Sequence, residues 1–581
     1  MPGPSRALSF PVLLGLAWAL TAVVLLADRW PEMGLRLFDA DDAMRLTQVR
    51  DFLAGRGWFD LHDGRVDPSI GYDTHWSRLI DLGLAGLYLA FRPFAGADLA
   101  EQLMRALWPL LWLFVAMGSV AALAWRLGGR NAALIVLVLA VCALPAFQHF
   151  KPGRIDHHNV QIALALAVIA AATWADRARH AAALAGALTA LAIAIGLENV
   201  LFVALAGVAM ALRAIAGDRA PSQYGAALAL GAPLAFAAVV APAQWMHPAC
   251  DALAVNWLAP VVIAGAGLWA AQFIAGGLQR GLAVVCAGAL ALGVWLALEP
   301  RCVFGPFALA DETVKLLWLD GVDETESLLS LMRSMPMTAA WLIAFPLVGV
   351  LAAIALMREQ VLRRDFAFQL SAAALFLAVA LTFGAVKLYS YAMWFAMPAV
   401  AVLASQLTAS SVTLTFAVRA AVAVLLTPTV VTAGAITIAQ AAGGPVMRAG
   451  IADRAACSRN AAYAELARLP VGLVATETNY GPFVLALTPH SVVSAPYHRI
   501  SRGVVAAHTI LYGTPEDAWR AIARYGVTYV AICGEHTSTG ADPAAGSLWA
   551  DLQAGKAPSW LEPLSRPADA ASFAIYRVAL R

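Results

Sequence analysis

The sequence predicts a polytopic α-helical membrane protein with a water-soluble α/β domain at its C-terminal end. Three observations predict it. Of 581 residues, 61% are hydrophobic and only 13% are charged, and the mean hydropathy is +0.72. A soluble chain carries roughly 25% charge, so this apolar excess needs a bilayer to absorb it. Apolar runs long enough to cross a hydrocarbon core, about 20 residues each, recur from residue 8 to residue 438. Beyond about residue 440 they give way to short β-rich runs at 472–476, 527–533 and 574–578 and a helix-like stretch at 515–524. That alternation is the pattern of an α/β domain. A net charge of +2 gives no reason to expect nucleic acid as a partner.

The first apolar run, 8–27, ends at Leu25-Leu26-Ala27-Asp28-Arg29 without a small-residue cleavage site, so it reads as an uncleaved anchor. Further spans are expected at 101–126, 131–149, 158–175, 181–198, 199–216, 223–243, 258–277, 280–298, 337–357, 366–386, 390–408 and 411–438. The total is about thirteen. The stretch 77–94 is also apolar, but it is short and carries Arg78, Asp81 and Arg92. If it does not span, Arg126/Arg130, Arg177/Arg179, Arg213/Arg219, Arg280 and Arg358/Arg363/Arg364 fall on one side with Arg6. If it does span, Arg6 is left opposite all of them. The positive-inside rule therefore places 77–94 in or on the membrane as a helix of the first external loop.

This arrangement predicts a transmembrane domain over 1–440 with external loops at 28–100, 150–158 and 299–336, followed by an external domain over 441–581. The N-terminus is expected in the cytoplasm and the C-terminal domain in the periplasm of a bacterial inner membrane. Six cysteines are scattered without CxxC or His/Cys metal spacing, which does not point to zinc. Cys457 and Cys533 fall in the external domain, either as a disulfide or as two free thiols.

Chemistry is expected where polar residues gather at the membrane edge. Asp39-Ala40-Asp41-Asp42 follows the first span, with three carboxylates in four residues. Such a group repels itself unless a cation joins it. Mg²⁺ or Mn²⁺ is the usual partner for carboxylate oxygens, and helix capping is the alternative for the same acids. Gly153-Arg154-Ile155-Asp156-His157-His158 precedes another span and offers metal ligands and a general base together. The loop 299–336 carries Asp320, Asp323, Glu324 and Glu326, and its length suits a functional flap. Lys387 stands at the outer end of a span, where it either snorkels or binds a lipid-linked phosphate. In the soluble domain, Glu477-Thr478-Asn479-Tyr480-Gly481 and Tyr497-His498-Arg499 follow β-rich runs, so both sit on loops at strand ends. Glu198-Asn199 interrupts two apolar runs and reads as an external turn.

In this order the motifs resemble those of the catalytic subunit of oligosaccharyltransferases, within the GT-C class of membrane glycosyltransferases. The resemblance implies a GT-C fold and transfer from a lipid-linked sugar donor to a protein, glycan or lipid acceptor. Asp42, eight residues before Arg50, matches the family's catalytic Asp. Asp156 and His158 match its G-x-x-D-x-D/H pattern, with His157 beside them, so a divalent cation is implied on Asp42, Asp156, His158 and Glu324. Glu324 matches the acid of the flap, with Glu326 the fallback, and Asp39 and Asp41 are secondary candidates. Lys387 lies near the family's phosphate-contacting Arg. Asn479, Tyr480, His498 and Arg499 are the implied acceptor-binding positions. The family's W-W-D-Y-G motif, which reads the N-x-S/T sequon, is replaced here by Glu477-Thr478-Asn479-Tyr480-Gly481. That departure favours a rival within the same fold: an enzyme of the O-mannosyl or aminoarabinose type, with a polyprenyl-monophosphate donor and a hydroxyl or lipid acceptor. A secondary transporter is the alternative from another class. Transporters, however, set polar sites at the midplane, whereas the ionisable clusters here lie in external loops.

Overall fold

A computed structural model of the chain describes residues 8–317, 319, 325–410, 416–442, 457–533, 544–565 and 573–579. Its N-terminal part is helical: α1 (Phe10–Met33), α2 (Ala40–Leu53), α3 (Arg78–Val141), α4 (His158–Thr173), α5 (Ala181–Ile195), α6 (Val200–Ile215), α7 (Ala220–Val239), α8 (Val255–Ala270) and α9 (Gly277–Leu298). It continues with α10 (Glu312–Leu317), α11 (Leu328–Ser334), α12 (Pro336–Leu356), α13 (Gln360–Arg364), α14 (Phe366–Gly384), α15 (Tyr389–Ser410), α16 (Phe416–Leu425) and α17 (Pro428–Ala441). Among the described residues, eight helical stretches are long and apolar enough to cross a membrane. The helices 158–173, 181–195, 200–215 and 428–441 are apolar but shorter.

Three local features depart from the expected spans. The 64-residue stretch of α3 is broken at Gly96 (φ 74°) and Gly129 (φ 71°), a backbone conformation that glycine alone adopts at little cost. The expected span 131–149 is therefore the last part of α3, continued past Val141 by a 3₁₀ segment, Leu144–Phe150. The expected single span 411–438 is two helices among the described residues, α16 and α17, because Pro428 lacks an N–H and starts a new helix. The loop 299–336 is not structureless, since it carries α10 and α11.

The two ends of the bundle are distinct. At one end an Arg130 guanidinium nitrogen lies 3.4 Å from the Leu8 carbonyl. There too, Arg126 pairs with Asp176 at 3.0 Å and Asp365 at 3.0 Å. The start of α1, the stretch of α3 around Gly129 and the turns at 176 and 365 thus share an end.

At the other end sits the C-terminal domain. Its five-stranded sheet has the order β4-β3-β5-β7-β6, with β3 (Leu473–Ala475), β4 (Ser491–Val492), β5 (Tyr529–Cys533), β6 (Leu561–Ser565) and β7 (Phe573–Val578). β3 pairs in parallel with β4 and β5, while β7 runs antiparallel to β5 and β6. Every residue of the central β5 is buried, as an apolar run of five predicts. Cys457 and Cys533 form a disulfide. A second joins Cys250 to Cys302, which the scattered cysteines did not announce.

The segment between α1 and α3 is fastened to this domain. Its short ladder, β1 (His62–Asp63) with β2 (Tyr72–Asp73), brackets a segment in which Val66 bridges Val492. Arg65 donates to the carbonyls of Leu485, Thr488 and His490. Helix 481–487 packs on α2, where Arg50 reaches the Ala486 carbonyl at 2.6 Å. The buried ion pair Arg45–Asp81 (2.7 Å) ties α2 to the start of α3, where Arg78 pairs with the same carboxylate at 2.9 Å.

Candidate active site

Asp39 caps α2 by accepting the Asp42 N–H at 3.0 Å, so the capping role expected of these acids is present. It does not exhaust them. Asp42 is buried in the first turn of α2, and its Oδ1 accepts the backbone N–H groups of Ile155 at 2.6 Å and Asp156 at 3.1 Å. The loop that delivers those amides turns at Gly153, whose φ of 103° excludes a side chain at low cost. Gly153 N–H is held by the Arg105 carbonyl at 3.0 Å.

Arg154 then enters between the acids. It hydrogen-bonds Asp39 and Asp156 and lies 3.2 Å from Asp42 Oδ2. Asp39, Asp42 and Asp156 together form one group whose oxygens lie within 4.8 Å of one another. Burial, followed by the charge of Asp156, pushes the Asp42 carboxyl well above the usual carboxylate range. Burial opposes ionisation of Asp156 as well, but Arg154 and His158 outweigh it and hold that carboxyl low. Two adjacent acids are thus driven in opposite directions by their different neighbours.

A second group lies beside the first. His158 Nδ1 meets Glu198 Oε2 at 2.8 Å, and Lys387 Nζ donates to Glu198 Oε1 at 2.9 Å. His157 is 3.9 Å from the same carboxylate. Burial works against the Glu198 anion, but His158 and Lys387 prevail and keep its carboxyl well below the normal range. The sequence reading of Glu198 as part of an external turn gives no hint of these partners. Its one signal was a lone acid between two apolar runs.

A third group draws on three distant segments. Asp251 accepts His498 Nε2 at 2.7 Å and Arg499 at 2.7 and 2.8 Å. The His75 ring lies beside His498, tilted 55° to it with centroids 5.2 Å apart. Trp76 links this group to the second, 5.6 Å from the His157 ring, and the Arg45 guanidinium stacks on it at 4.6 Å. A cleft of about 660 Å³ opens here, walled in part by Asp73, His75, Trp76, Asp251, His498 and Arg499.

The remaining expected residues fall as follows. Asp41 faces Tyr497. Glu326 accepts the Val386 N–H through its carbonyl at 2.9 Å, which brings the end of the long loop to the Lys387 turn. Glu324 lies outside the described residues. Asn479 sits in the one-turn helix 478–480. The Tyr480 side chain is buried in the sheet domain, beside Phe483 and Phe573. His158 directs Nδ1 to Glu198, while its backbone N–H donates to Asp156 Oδ1 at 3.0 Å.

The acidic group fits a hard divalent cation. It offers three carboxylates, and Asp42 Oδ2 is buried and accepts no hydrogen bond among the described residues. Hard cations take carboxylate oxygens.

No protein-family profile and no curated protein matches the sequence. Solved structures do. The oligosaccharyltransferase of Archaeoglobus fulgidus in its apo form superposes with a TM-score of 0.65 at 14% identity, over 90% of this chain and 69% of that one. The same organism's oligosaccharyltransferase AglB, with an inhibitory peptide and a dolichol-phosphate, gives 0.62 at 15% identity over 90% and 69%. A structure of the archaeal enzyme with zinc and sulfate gives 0.63 at 14% identity over 97% and 73%. The chain is therefore a membrane protein with the oligosaccharyltransferase-like GT-C fold.

Proposed function

We propose that this chain moves a sugar or oligosaccharide from a polyprenyl-phosphate or polyprenyl-diphosphate carrier to an acceptor outside the cytoplasm, with a divalent cation assisting. The observation that carries this reading is the meeting of Asp42 and Asp156 from two separate loops, on a fold shared with an enzyme captured with dolichol-phosphate.

The bound cation, Mg²⁺ or Mn²⁺, supplies Lewis-acid neutralisation of the leaving phosphate. Asp39, Asp42 and Asp156 would hold it, with Glu324 the further ligand that the resemblance implies. Asp42 takes the acceptor's proton, in keeping with its raised proton affinity. Lys387 neutralises phosphate charge on the carrier, and Glu198 positions both Lys387 and His158 for that task. The product is expected to be inverted at the anomeric carbon. The two disulfides, at the same end of the bundle as this site, support an oxidising compartment on that side. They support a C-terminal domain in the periplasm and an N-terminus in the cytoplasm.

One observation favours a second reading, with a monophosphate donor and a hydroxyl or lipid acceptor. Glu477 and Tyr480, which stand where a sequon reader is expected, are buried in the sheet domain. The deciding experiment is mass spectrometry of envelope glycoproteins and glycolipids in a deletion strain, complemented with wild type or Asp42→Asn. Loss of one glycoconjugate that only wild type restores names the acceptor. Unchanged profiles in all three strains sink the transferase reading.

A further inference from the structure

We propose that His75, Asp251 and His498 form a transition-metal site of the zinc class, separate from the carboxylate group at Asp42 and open on one side to the 660 Å³ cleft. The three residues come from the first external loop, the connection between α7 and α8, and the C-terminal domain. Each offers one ligand atom, and those atoms lie within 4.8 Å of one another. Two imidazoles with one carboxylate is a donor set that favours Zn²⁺ and its neighbours over Mg²⁺. The Asp42 group, made of carboxylates alone, has the opposite preference.

The surroundings are built as metal sites are built. Arg499 grips the Asp251 carboxylate in two places, Nη2 on Oδ1 at 2.7 Å and Nε on Oδ2 at 2.8 Å, and Oδ2 also faces His498 Nε2 at 2.7 Å. A ligating carboxylate is ordinarily fixed by an outer partner of this kind. Phe307 packs edge-on against the His498 ring at 5.0 Å and sets its orientation. The Cys250–Cys302 disulfide anchors the chain next to Asp251. His75 Nδ1 is buried and makes no hydrogen bond among the described residues, an unfavourable state that coordination relieves. All three ligands wall the cleft, so a fourth position faces it and takes water or a ligand oxygen. The ion would clamp the C-terminal domain onto the membrane domain at the cleft mouth.

The test uses the full-length protein in detergent, stripped with chelator and titrated with Co²⁺. The expected result is a visible d–d band that saturates at one equivalent and is displaced by Zn²⁺. That band should persist in Asp42→Asn and vanish in His75→Gln and His498→Gln, with bound zinc by mass spectrometry falling by one per chain. Thermal unfolding of each variant in metal-free buffer, matched to wild type, separates lost coordination from lost fold. A band that survives in both histidine variants overturns the proposal, as does failure of wild type to bind Co²⁺ or Zn²⁺. Neither result depends on transferase activity, so this site and the proposed reaction stand or fall apart.

Discussion

Asp42 and Asp156, 114 residues apart, are joined by a hydrogen bond from the Asp156 N–H to Asp42 Oδ1 at 3.1 Å. The contact fixes the start of α2 against the loop before α4, so the two segments present their carboxylates as one unit. Arg154 stands between them as countercharge. Without it, three acids this close repel one another.

Asp42→Asn is expected to fold, because the amide oxygen still accepts the two backbone N–H groups that Oδ1 holds. Transfer should fall by roughly 10²–10⁴-fold, the usual cost of removing a positioned base. Asp156→Asn should lose a similar factor. Glycoconjugate profiling of complemented strains checks activity, and detergent melts check folding. Wild-type profiles from both variants contradict the assignment.

How much of this was legible depends on whether the signal was local. Asp39, Asp41 and Asp42 announce themselves because like charges in succession need an explanation, and Asp156 because it sits with Arg154 and two histidines at a membrane edge. The placement of 77–94 in or on the membrane as a helix of the first loop rests on charge placement along the whole chain and not on a local motif. Glu198 was opaque because its partners are 40 and 189 residues away. The Asp251–His498 pair spans 247 residues, and no spacing rule reaches that far. The break before Pro428 was readable in principle, but the apolar run on either side masked it.

Glu198→Gln removes the charge that His158 and Lys387 share. Charge-assisted hydrogen bonds of this kind contribute about 1.5–3 kcal/mol, so activity should drop roughly 10–100-fold. The loss should appear mainly in the KM for the lipid-linked donor, since Lys387 is assigned to its phosphate. A defect confined to the acceptor's KM would move the phosphate site elsewhere.

The disulfides provide a test of sidedness. Cys250 with Cys302 and Cys457 with Cys533 should react with a membrane-impermeant maleimide in reduced spheroplasts. Without reductant they should stay unlabelled. Labelling only after the membrane is permeabilised would reverse the proposed orientation.

Glu477 predicts a pH signature for the soluble domain. Burial raises its carboxyl to about 7, even though Trp549 Nε1 donates to it at 3.1 Å. Between about 4.5, its ordinary value, and about 7, the folded state therefore keeps a proton that the unfolded state has lost. Stability must fall as pH rises through that window and level off above it, by about 3 kcal/mol in all. Glu477→Gln keeps an oxygen for Trp549 and carries no proton to lose. Its melting temperature should exceed that of wild type at pH 8 and approach it at pH 4.5. If the difference between the two proteins does not change across this range, Glu477 is ionised in the folded domain and its burial must be offset by a contact other than those with Trp549 and the backbone.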